Sequence, residues 1–77
     1  MTMDYRKELL LKSGARLYSI GLDLDAAKER ILKLVADGVG YDAPEMVQAV
    51  QVYTELKSLW DNLEAEHLKL KREILNA

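Results

Sequence analysis

Apolar residues recur at alternating spacings of three and four along both halves of the chain. In the second half, with His67 as the one polar member, the stripe is Met46, Ala49, Tyr53, Leu56, Trp60, Leu63, His67, Leu70, Ile74 and Ala77. This spacing keeps one seam of an α-helix facing a partner helix. The second half is therefore predicted to be one long helix that packs along this stripe.

The first half has a second ladder, weaker toward its start: Met3, Leu10, Leu17, Leu24 and Ile31 at one heptad position, and Arg6, Ser13, Ile20, Ala27 and Leu34 at the other. Gly14 and Gly21 lie inside it, and each costs about 1 kcal/mol relative to Ala in a helix interior. Asp25 is a suitable N-cap for a new helix. The first half is thus either one long helix or two helices with a break near residues 21–25.

A turn is predicted at residues 38–42, where Gly38 and Gly40 are separated by one residue. Glycine at position 38 suits a left-handed C-cap of the preceding helix. The chain is expected to reverse direction here.

The start of the second helix has its own local signals. Asp42 is predicted to be the N-cap, with Pro44 in the first turn and Glu45 as the reciprocal residue of a capping box. Tyr41 and Met46 have the spacing of a hydrophobic staple across this start.

Folding the two halves back on each other predicts an all-α, antiparallel helical hairpin. Its facing pairs, or rungs, run from Leu34 opposite Met46 to Arg6 opposite Ile74, and Ser13 faces His67. Two arms at 1.5 Å rise per residue would form a rod roughly 50 Å long. A break near residues 21–25 would instead give a three-helix bundle.

The 77 residues form a single helical domain, residues 1–77, whose core is thin. Many apolar residues lie off the seam, so we expect the hairpin to dimerise into a four-helix bundle, which hides both seams. The candidate interaction surface, for the second copy or for another protein, is Tyr18, Leu22, Leu32, Val50, Val52 and Leu59.

Charge and composition exclude several functions. The net charge of -2 gives no overall attraction to nucleic acid or to anionic lipid, so neither is an expected partner. There is no cysteine, and the first apolar run is too short for a signal peptide or a membrane span. We expect a cytoplasmic protein of the size common among small bacterial or phage accessory proteins.

Candidate chemistry is sparse. A lone histidine and one Glu-x-x-His spacing, from Glu64 to His67, predict no metal site, no cofactor and no enzyme. His67 is predicted to be a seam residue with one hydrogen bond, and as an alternative a pH-sensitive residue that loosens the seam when it gains charge. A second alternative is a nucleic-acid-binding basic patch at the terminal end: Arg6, Lys7, Lys12, Arg16, Lys69, Lys71 and Arg72.

The segment from Pro44 to Lys57 resembles the second helix of the small sporulation-regulatory phosphatases that act on phosphorylated response regulators. That helix opens with Pro-Glu and an apolar pair, as this one does. The family's Ser-Gln-Glu-Leu-Asp signature aligns with residues 50–54, where only Gln51 is retained. The resemblance implies a phosphatase-like regulator as a further alternative, with Gln51 and Glu55 as its candidate residues.

The function predicted from these features is a non-enzymatic protein–protein interaction module. It would work as a small regulatory adaptor, an inhibitor or an assembly factor built on a self-associating hairpin.

Overall fold

A computed structural model of the chain describes the backbone of residues 2–76 and the side chains of residues 5–76. It consists of two helices, α1 (Thr2–Ala36) and α2 (Pro44–Leu75), that pack side by side as a hairpin. The rod measures 56 × 15 × 15 Å. The predicted hairpin is confirmed, and its seam positions at Met3 and Ala77 lie outside the described side chains.

Helix α1 is continuous, so the alternative of a break near residues 21–25 is wrong. Both interior glycines lie against large side chains of α2. A Cβ at Gly14 would lie 3.5 Å from Cε1 of His67, and one at Gly21 would lie 3.6 Å from Nε1 of Trp60. Packing against α2 outweighs the low helix propensity of glycine, as is usual for helices in proteins.

The end of α1 is a Schellman motif built on Gly38, which has φ of 80°. The amide of Gly38 donates to the carbonyl of Val35, and the amide of Val39 donates to the carbonyl of Leu34, each at 3.0 Å. These bonds satisfy carbonyls that would otherwise lack partners at the helix end. The predicted left-handed C-cap is confirmed.

The predicted start of α2 is wrong by one residue. Ala43 is the N-cap, and no side chain makes a capping hydrogen bond. The cause is Pro44, which disfavours helical backbone at the residue before it and is itself favoured as the first helical residue. Asp42 therefore precedes the N-cap, so the predicted capping box is not formed. Tyr41 is 95% exposed, so the predicted hydrophobic staple is not formed either.

The register of the seam is confirmed by the hydrogen bond between Ser13 and His67, a predicted rung. The most buried side chains are also seam residues: Ala27, Met46, Ala49 and Leu63. The other seam residues from Leu10 to Ile74 are half-buried. Among the described residues no large side chain is fully buried, because two helices cover each seam residue from one direction only.

Gly38→Ala is expected to lower the free energy of unfolding by about 1 kcal/mol, because any residue with a Cβ is strained in the left-handed region. Urea unfolding followed by circular dichroism measures the change. The matched control is Gly40→Ala, since Gly40 has no positive φ and its added Cβ would meet only the Asp42 carboxylate, at 3.2 Å. Equal losses in the two variants would contradict the assigned motif.

Candidate interaction surface

An open groove crosses one side of the rod at the level of Gly21. Because Gly21 has no side chain, the indole of Trp60 from α2 lies directly against α1 there. Tyr18 and Leu22 form the walls, and both are exposed, at 72% and 54%. The complete lining is Leu17, Tyr18, Gly21, Leu22, Leu24, Asp25 and Trp60.

A second hollow continues this apolar surface toward the turn. It is lined by Lys28, Ile31, Leu32 and Tyr53. Lys28 follows Asp25, which borders the groove, by one helical turn. We call the side of the rod that contains the groove and this hollow the groove side.

A lysine of α2 lies over the ring of Trp60. The Lys57 ammonium lies 5.5 Å from the centre of the indole, within the range of a cation–π contact. The same ammonium donates to Asp61 Oδ1 at 2.7 Å, and this hydrogen bond raises the pKa of Lys57 above its ordinary value. Lys57 therefore stays charged at the edge of the groove. Val50 precedes Lys57 by two helical turns, so it lies on the same strip of α2 and on the groove side.

The predicted interaction surface is divided between the two sides of the rod. The groove is lined by Tyr18 and Leu22, and the second hollow is lined by Leu32, so these three residues lie on the groove side. Val50 lies there too, because it shares a strip of α2 with Lys57. Val52 lines a small hollow on the opposite side, with Ala27, Arg30, Gln48 and Ala49. Leu59 follows Val52 by two helical turns and shares its side.

His67 is half-buried in the seam and bonded to Ser13. The Ser13 hydroxyl donates to the Leu10 carbonyl at 2.9 Å, and its oxygen lies 2.6 Å from Nδ1 of His67. A hydroxyl has one hydrogen, so while Ser13 donates to Leu10 the imidazole Nδ1 donates to Ser13.

The basic residues predicted to form a patch lie at the end of the rod away from the turn. They occupy different strips of the helices: Lys7 and Lys71 lie on the groove side, and Lys12, Arg16 and Lys69 lie on the opposite side. Lys12 is also paired with Glu8, at 3.3 Å. The structure therefore distributes these charges around the rod.

The other candidate residues are exposed. Gln51 and Glu55 lie in strips of α2 that do not border the groove. Within residues 5–76, no three histidine, aspartate or glutamate side chains are grouped to hold a metal ion. Neither described helix has a stretch that is long and apolar enough to cross a membrane. No known protein family, curated protein or solved structure matches this chain.

Ser13→Ala is expected to destabilise the hairpin by about 1 kcal/mol relative to Ser19→Ala, because it leaves Nδ1 of His67 without its partner. Ser19 is exposed on the same helix, so its replacement gives the same gain in helix propensity without touching the seam. Urea unfolding at neutral pH measures both variants. Equal stability of the two would show that the Ser13–His67 bond contributes nothing.

Proposed function

We propose that the protein is a non-enzymatic protein–protein interaction module of the cytoplasm, an adaptor, inhibitor or assembly factor built on a self-associating helical hairpin. Its binding surface is the groove side. The other strips of the rod carry most of the charge and keep the molecule in solution.

The observation that carries this proposal is an apolar groove side on a rod without a closed core. Tyr18, Leu22 and Leu32 are all more than half exposed, and Trp60, the largest seam residue, is only half-buried. Removing such residues from water is worth about 25 cal/mol for each Å² of apolar surface. A protein surface that covers the groove side would supply the burial that the hairpin alone lacks.

The shape of the groove supports a helix as the occupant. The groove and the second hollow follow one another along α1 from Leu17 to Leu32. The side chains of a second helix pack into grooves of this kind between the ridges of the first. Its charged residues, Asp25, Lys28 and Lys57, stand at the edges of the apolar strip. Charges at the rim select and orient a partner more than they add affinity.

Static light scattering over a range of concentrations is expected to give the mass of a dimer or a larger assembly for the wild type. Leu22→Asp is expected to shift the mass toward the single chain, because it places a carboxylate in the apolar wall of the groove. Circular dichroism should show that the variant keeps its helix, since Leu22 makes few contacts within the hairpin, being 54% exposed.

The matched control is Leu59→Asp, which makes the same change on the opposite side, at a leucine that is 44% exposed. We expect this variant to associate as the wild type does. A wild type that stays a single chain at every concentration would overturn self-association. Equal dissociation of both variants would overturn the assignment to the groove side.

A further inference from the structure

We propose that the groove side of α1 binds the groove side of α1 in a second copy of the chain, with the two helices antiparallel. In this arrangement Leu32 of each copy enters the groove over Gly21 of the other, and Asp25 of each copy pairs with Lys28 of the other. The inference rests on the proposed function, because it names the occupant of the same surface.

Helix α1 has both a groove and a side chain that fits it. The groove lies at Gly21, where the indole of Trp60 packs against α1 and forms part of the groove lining. Leu32 is on the same side and is 67% exposed. The two positions are about 16 Å apart along the helix axis, at 1.5 Å per residue.

A two-fold axis makes this contact reciprocal, as a symmetric dimer requires. If Leu32 of one copy lies over Gly21 of the other, the axis crosses α1 midway between these residues, between Ala26 and Ala27. The same axis places Tyr18 opposite the second copy's Val35, and both residues are exposed. Apolar side chains therefore meet apolar side chains along the strip.

Charge complementarity at the centre of the strip favours the second copy over an unrelated partner. The residues of the groove side nearest the axis are Asp25 and Lys28, which are equally distant from it and opposite in charge. The axis that places Leu32 over Gly21 thus also places each Asp25 against Lys28 of the second copy. Within one chain, the two ion pairs made by the described side chains use Lys12 with Glu8 and Lys57 with Asp61, and leave Asp25 and Lys28 free to pair.

The opposite side of α1 lacks a groove that could receive an apolar side chain. Its strip also carries opposite charges at equal distances from the same axis, Asp23 and Arg30, so the groove rather than the charges distinguishes the two sides. The hollow on the opposite side is bordered by Arg30, with Gln48 and Val52 across from it on α2, and no glycine lines it.

Charge reversal tests the register. Asp25→Lys and Lys28→Asp, made singly, each place like charges on both sides of the axis, and each is expected to raise the Kd of the dimer about tenfold or more. The double variant Asp25→Lys/Lys28→Asp restores both pairs, so its Kd should return to within about threefold of the wild-type value. Sedimentation velocity on dilution gives the Kd of each protein.

The matched control is Asp23→Lys, which makes the same change in charge on the same helix. Asp23 lies two turns before Arg30 and therefore on the opposite side, so its replacement should leave the Kd unchanged. A double variant as weak as the single ones, or a control as weak as Asp25→Lys, would overturn the inference.

A second pair of variants tests the groove itself. Gly21→Ala fits within the hairpin, since its Cβ would lie at an ordinary 3.6 Å from Trp60, but it raises the floor of the groove beneath Leu32 of the second copy. We expect the Kd to rise about fivefold or more while the helix content is kept, since an added methylene in a packed contact forces side chains aside. Gly14→Ala is the matched control. Its Cβ would lie 3.5 Å from Cε1 of His67, outside the groove, and it gives the same gain in helix propensity, so it should not weaken the dimer.

The outcomes separate this inference from the proposed function. One outcome is a wild-type dimer that Leu22→Asp dissociates but whose Kd is unchanged by charge reversal and by Gly21→Ala. That outcome would overturn the proposed register and leave the proposed self-associating module supported. A wild type that is a single chain at every concentration would overturn both.

Discussion

Two helices packed in a hairpin share a single seam, and this constraint determines most of what the molecule presents. Most seam side chains are covered by one neighbouring helix and stay partly open to water on their flanks. The consequence is visible at Trp60, which packs against Gly21 and still borders an open groove. Small residues such as Ala27 and Ala49 are buried because two helices are enough to cover them. The apolar surface of the rod therefore follows from its architecture.

Heptad spacing made the seam and its register predictable from the sequence. The phase of the two ladders placed Ser13 opposite His67, and the hydrogen bond between them confirms it. Gly38 was also predictable, because the left-handed backbone at a helix end strongly favours glycine. The predicted start of α2 is one residue early because Asp42 and Pro44 give competing signals, and the preference of proline for the first helical position decides where the helix begins.

The candidate surface was harder to predict, because it depends on both helices at once. In α1 alone Gly21 lowers helix propensity, yet it is the place where Trp60 of α2 packs. The separation of Val52 and Leu59 from Tyr18 and Leu22 also needs the second helix, since a side of the rod is defined only by the pair. The sequence signal for the groove is a small residue beside the rung of a large one: Trp60 is predicted to face Ile20, and Gly21 is the next residue.

Because the seam repeats every seven residues, the length of the rod can change without altering the turn or the packing of the remaining seam. Each heptad adds about 10 Å to an arm and returns the chain to the same face of the helix. Seven residues added to or removed from both arms at facing rungs would change the span of the molecule while keeping the Schellman turn and the pairing of the remaining rungs. Evolution or engineering could thus adjust the reach of this hairpin in steps of two helical turns without redesigning either end.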